Sequence, residues 1–383
     1  MVVLPRFLYL FQMIPIFLPK SVFKELGSLI SSFVWNKSVP WMRNIFLEMP
    51  KAAGGMGLPN FMYYYWAANI SKLIYWIFAW RDNPGPAWAD MELRGDSGLC
   101  PISLMSAPTS MQPYSRLLNP VVKHSLKIWL QFRKHFRIKQ LSLFSPLLNN
   151  HLFLPSQTDA AFQTGHNNGL IFIKDLFAEG TLMTFETLQK SYNIPKSHFY
   201  RFLQIRSFVS KHFRSLHSPA NSPADEVLAL NPFMRGNISK LYTLIQNIYS
   251  PSWEKTKVAW EQDLNIVVTG ESWQQCLEAI HTSSVCIRQC LIQFKVLHRL
   301  HYSLDKLAKM FPNTSSECLR CHQGPATLGH MFWNCQSLYN FWENICIVLN
   351  NTKPTKVNYG APKSCAATFL ALNKHVGKIA QTN

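Results

Sequence analysis

The sequence predicts a mainly α protein of several subdomains. Apolar residues recur at three- and four-residue steps in successive segments, and breaks rich in Pro, Gly and Ser separate those segments. A 383-residue chain that is 48% apolar and 13% aromatic also has enough material for two or three compact cores. Nine cysteines, an odd and unevenly spread set, do not form a disulfide framework and point to a reducing, intracellular setting, nucleus or cytoplasm. Thirty-eight Lys and Arg against 20 Asp and Glu leave +18, a surplus that repels itself unless a polyanion lies against it. Nucleic acid is the first candidate for that polyanion and an anionic membrane surface the second.

The opening stretch MVVLPRFLYLFQMIPIFLPK has the apolar content of a signal or membrane segment, but Pro5, Pro15 and Pro19 break it and Arg6 interrupts it. Core packing is the expectation. From Ser21, the residues Val22, Phe23, Leu26, Leu29, Ile30, Phe33 and Val34 form one helical stripe. PKAAGGMGLPN (50–60) offers three glycines, but a phosphate-cradling loop needs Gly-Lys-Ser/Thr at its end, and Gly57 is followed by Leu58 and Pro59. It reads as a turn feeding the next helix, FMYYYWAANISKLIYWIFAW (61–80). That helix is long enough to span a bilayer yet holds Asn69 and Lys72 in its middle, so no membrane role is expected. Residues 1–80 are thus expected as one helical region and 81–120, rich in Pro, Gly, Ser and Met, as a linker.

A basic region is expected over 121–217. VKHSLKIWLQFRKHFRIKQ carries Lys123, Lys127, Arg133, Lys134, Arg137 and Lys139 with no acid, interleaved with Trp129, Phe132 and Phe136 at helical spacing. Two accounts fit: a solvated face over an apolar underside, or a helix laid along a phosphate backbone and releasing counterions as it binds. SHFYRFLQIRSFVSKHFR mixes Tyr200, Arg201 and Arg206 with aromatics in the same way. Aromatics such as Trp129 and Tyr200 are candidates to stack on unpaired bases. SPANSPAD (218–225) is the favoured domain boundary. Beyond it, 226–350 reads as a helical C-terminal domain with Trp253, Trp260 and Trp273 as core anchors, and 351–383 as a poorly defined tail.

ECLRCHQGPATLGHMFWNC (317–335) sets Cys318 and Cys321 two residues apart, a tight turn that aims both sulfurs at one point. His330 and Cys335 supply two more soft ligands, and Gly324, Pro325 and Gly329 let the chain double back between the pairs. Five residues apart, His330 and Cys335 do not share an α-helical face, so one is expected in a turn; His322 could substitute as a ligand. The alternative is a set of small buried thiols. The segment is too polar to build its own core, which favours a structural Zn2+ held in a small knuckle over 318–335, closed to water by four protein ligands.

Three blocks resemble one family: LPRFLYLFQMIPIFLPKSVFKELGSLISSFVWN with GGMGLPNFMYYYWAA, then SHFYRFLQIRSF, then KVLHRLHYSLDKLAKMFPNTSSECLRCHQGPATLGHMFWNCQSLYNFW. They are similar to the C-terminal part of reverse transcriptases from LINE-type non-LTR retrotransposons. The resemblance covers most of residues 1–350. It implies a helical thumb and connection followed by a C-terminal domain whose Cys-Cys-His-Cys motif holds zinc, gripping RNA or an RNA/DNA duplex, with no small-molecule substrate. Reverse transcription needs two metal ions on neighbouring carboxylates, typically an Asp-Asp pair. The eight Asp of this chain include no such pair, so no polymerase or nuclease activity is expected. The family's palm and any endonuclease would lie upstream of Met1, so the resemblance implies a truncated remnant of a longer ancestor; the alternatives to a nucleic-acid-binding fragment are a transposon remnant without function or a zinc-stabilised protein-interaction module.

Overall fold

A computed structural model describes residues 3–81, 86–94, 101–106, 117, 119–139, 141–213, 221–282 and 284–351. Within them the chain is mainly helical, with one two-stranded antiparallel hairpin, Phe177–Ala178 against Thr181–Leu182. Glu179 and Gly180, both at positive φ, make the turn that matches the twist of such a short hairpin. The expected tail at 351–383 lies outside the described residues apart from Asn351.

The chain divides into two compact units, one made of Met1–Ile30 and Pro59–Ser250, the other of Ser31–Leu58 and Pro251–Asn383. None of the boundaries expected from sequence falls at this division. In the first unit the Phe61–Arg81 helix runs through the core with Trp66, Ile70, Leu73 and Trp76 fully buried. Asn60 caps its start by accepting from the Tyr63 N–H at 3.1 Å. Asn69, which counted against a membrane span, is satisfied inside protein: its amide donates to the Tyr65 carbonyl at 2.8 Å, and its Oδ1 faces His124 Nε2 at 3.3 Å. Among the described residues, no helix is long and apolar enough to cross a membrane.

Two described stretches of the expected linker are helical, Ala87–Arg94 and Pro101–Ser106, and send Ala89, Ile102, Leu104 and Met105 into the core of the first unit. Pro101 stands at the first position of its helix and Ser103 lies within it; residues 82–85, 95–100, 107–116 and 118 lie outside the description. The favoured boundary at 218–225 is also corrected in its described part. Ser222 and Asp225 form a capping box around Pro223: the Asp225 N–H donates to Ser222 Oγ, and the Ser222 N–H donates to Asp225 Oδ2 at 2.9 Å. Asp225 is buried and its Oδ1 also accepts from Ser142 Oγ and the Leu143 N–H at 2.6 and 2.9 Å. What reads as a Ser-Pro break is a buried helix start.

In the second unit Trp253, Trp260 and Trp273 are core residues, as expected. They enclose a segment more than 190 residues away in sequence, with Leu47 and Met49 in the same cluster. Four consecutive carbonyls of the 50–60 loop are taken by side chains from beyond residue 250. Gln274 Nε2 donates to Ala52 O at 2.8 Å, Trp253 Nε1 to Ala53 O at 2.9 Å, His298 Nε2 to Gly54 O at 2.8 Å and His281 Nε2 to Gly55 O at 2.7 Å. A carbonyl only accepts, so both imidazoles carry their proton on Nε2. Gly54, at φ 79°, lies so close to Leu277 that a Cβ would strike its side chain, and a Cβ on Gly55 would collide with the Met49 carbonyl. These glycines therefore serve a close backbone approach rather than phosphate binding.

Candidate metal centre and basic face

Cys318, Cys321, His330 and Cys335 converge: one ligand atom from each lies within 4.8 Å of every other. Residues 316–318 and 324–326 form a narrow loop, with an antiparallel bridge between Glu317 and Pro325, the Ala326 N–H on Ser316 O at 2.7 Å and the Cys318 N–H on Gly324 O at 3.2 Å. His322 and Gly324, both at positive φ, reverse the chain at its tip. His322 is exposed and is not one of the four converging groups.

The five-residue spacing of His330 and Cys335 is resolved by an element that the sequence reading did not consider. Residues His330–Asn334 form a single π-helical turn, and the Cys335 N–H closes it onto the His330 carbonyl at 3.1 Å. Closing the turn over five residues instead of four returns Cys335 to the side of His330. Arg320 ties the two halves together, its Nη1 donating to the Met331 carbonyl at 2.7 Å.

The separations suit a tetrahedral ion. A tetrahedron with metal–sulfur bonds of about 2.3 Å has edges of about 3.8 Å; Cys318 and Cys335 Sγ are 3.9 Å apart, and Cys321 Sγ is 3.2 Å from His330 Nε2. Cys318 and Cys335, 3% and 2% exposed, share a small cluster with Ala326, flanked by Leu304, Met331 and Leu338. The backbone N–H groups of Cys321 and Arg320 point at the Cys318 sulfur and, with the neighbouring Cys321 and His330 side chains, draw its pKa down to about 6, which favours the thiolate form in which a cysteine binds a metal. The Gln323 N–H favours the Cys321 thiolate, but burial and the adjacent Cys318 and Cys335 sulfurs outweigh it and push Cys321 up. A cation would relieve that repulsion, and four protein donors leave it no open position, the pattern of a structural site.

The basic face divides. The Pro120–His135 helix starts on Asn119, whose side chain accepts from the Val121 N–H at 2.9 Å, with Pro120 at the first helical position. Lys127, Lys134, Arg137 and Lys139 are exposed and Lys123 is half-buried. Trp129 and Arg133 are 1% and 3% exposed, and both donate to the Met105 carbonyl, from Nε1 at 2.8 Å and Nη1 at 3.0 Å. In this fold Trp129 cannot present a face to a base, nor Arg133 a guanidinium to a phosphate. Helical spacing put both on the underside with Phe132, which the charge count concealed.

Of the second basic group, Tyr200 is 78% exposed and Arg206 is exposed. Arg201 is engaged with Asp159, Nε to Oδ2 at 2.6 Å, and its guanidinium holds that carboxyl below the ordinary aspartate range. Sequence reasoning missed Lys20 and His135, which meet at 3.3 Å between Nζ and Nδ1 although 115 residues apart. Burial and then the neighbouring cation lower both, Lys24 acting on Lys20 and Lys20 on His135. No local signal could have joined them. No family model matches this chain.

Proposed function

We propose that the protein binds RNA or another nucleic acid, as the C-terminal portion of a LINE-type reverse transcriptase would, with a structural Zn2+ in its knuckle and no polymerase or endonuclease chemistry of its own. The observation that carries the nucleic-acid reading is the exposed group Lys127, Lys134, Arg137 and Lys139, carried on one helix and its C-terminal extension in a chain of net charge +18. Zinc is favoured within the knuckle because three thiolates and one imidazole form a soft donor set that suits it and leaves oxygen-preferring cations poorly served. Thiolate ligation also fits an intracellular, reducing location.

The test is binding of single-stranded and duplex RNA by fluorescence anisotropy across a salt series, with metal analysis of the same sample. Affinity should fall steeply and log-linearly with salt, and one zinc per chain should be found; flat salt dependence would overturn the nucleic-acid reading.

A second reading, a metal-stabilised protein-interaction module, draws on the Lys20–Val34 helix. None of its 15 residues is buried, and Phe33 is 87% exposed. Sedimentation that shows self-association or partner capture, with no RNA bound, would favour it.

A further inference from the structure

In the first unit an open groove of about 620 Å3 lies between the start of the Phe185–Tyr192 helix and the Phe199–His212 helix. Met183, Phe185, Phe199, Phe202 and Leu203 line it, and Arg206 stands among them. Phe185 meets Phe199 edge-on at 5.2 Å and Phe202 at a tilt at 5.5 Å, and Phe199 is 44% exposed, with the Tyr200 ring 6.1 Å away. Arg206, Lys190, Lys196 and Lys211, all exposed, belong to these two helices and the turn joining them, and Glu186 is the acid on the wall.

A half-exposed aromatic ring, Phe199, in a groove that also holds a cation, Arg206, suits a ligand with a flat π-surface and a negative charge attached a short distance away. A nucleotide has that form. An RNA duplex keeps its bases stacked within itself and offers none to a groove, whereas a single strand can splay one out. We propose that this groove takes one unpaired base of a single-stranded RNA, stacked on Phe199, with the adjoining phosphate on Arg206. The inference rests on the nucleic-acid reading above and narrows it to single strands at this place. It assigns duplex binding, where it occurs, to other basic surface.

The experiment uses the full chain, an oligoribonucleotide carrying 2-aminopurine, and a duplex of the same sequence. Binding to the unchanged protein should quench the 2-aminopurine of the single strand through stacking. Phe199→Leu, which keeps the apolar packing but removes the ring, should abolish the quenching and weaken single-strand binding about five-fold or more. Arg206→Gln, at an exposed position that the fold tolerates, should lower the slope of log affinity against log salt by about 0.7. Duplex affinity should be unchanged by both. Unchanged single-strand affinity and quenching in both variants would overturn the groove assignment while leaving the broader reading in place. Failure of the unchanged protein to bind either RNA would overturn both. Binding of an acidic amphipathic peptide that the oligonucleotide does not displace would also overturn it.

Discussion

The knuckle at 317–335 and the basic stretch at 123–139 are similar in length, and each presents a conspicuous set of one chemical type in sequence. In the fold all four candidate ligands of the knuckle converge within 4.8 Å. Of the basic set and its companion aromatic, Arg133 and Trp129 turn into the core while Lys127, Lys134, Arg137 and Lys139 face solvent. The difference lies in what constrains each. Metal ligands must share one point, so their spacing is fixed by local turns and is legible in sequence. Phosphate-binding cations only have to share a face, and which face a helix buries is set by distant neighbours, here the Met105 carbonyl.

The largest effect that would break this contrast is at the knuckle. Cys321→Ser, or chelation of the native protein, should remove the metal and loosen residues 304–351, at a cost above about 4 kcal/mol. Native mass spectrometry and hydrogen exchange measure it. An apoprotein with unchanged protection there would make the four residues ordinary buried thiols.

The basic stretch should separate into two behaviours. Trp129→Ala should destabilise by about 3–5 kcal/mol, because it opens a large cavity and strips the Met105 carbonyl of a donor. Lys134→Gln should move stability by no more than about 0.5 kcal/mol while weakening RNA binding and reducing its salt slope. Thermal unfolding and anisotropy measure the pair, and equal stability losses would erase the division.

Histidine extends the comparison to pH. His298 is buried against Trp253, stacked at 3.7 Å, and burial lowers its pKa to about 4, the Gly54 carbonyl opposing that only in part. The unfolded chain takes up this proton near pH 6.5 and the folded chain only near 4, so between those values the unfolded state binds more protons and stability falls as pH falls. The loss should reach up to about 3 kcal/mol at pH 4. His298→Gln, whose amide can still donate to Gly54, should flatten this dependence. Urea unfolding across pH measures it, and an unchanged pH dependence in the variant would remove His298 as its source.

Much of the fold was legible where cause and effect lie close in sequence. Helical periodicity gave the mainly α class, and Trp253, Trp260 and Trp273 were recognisable as core by size and hydrophobicity. The capping box Ser222-x-x-Asp225 was also there to be read, but the prolines around it drew the reading toward a linker. The π-turn that brings Cys335 back to His330 has no sequence signature of its own; the ligand pair implies a closure without specifying the turn that makes it.

The sequence by itself determined the helical class, the four candidate ligands and the excess of positive charge, because each is a property of composition or of short spacing. Only the tertiary structure decided that residues 31–58 belong with the chain beyond 250, and that Lys20 meets His135. It also decided that Arg133 and Trp129 are packing residues. The physical reason is that burial and long-range pairing depend on which surfaces exclude water together, and that is a property of the assembled core rather than of any one segment.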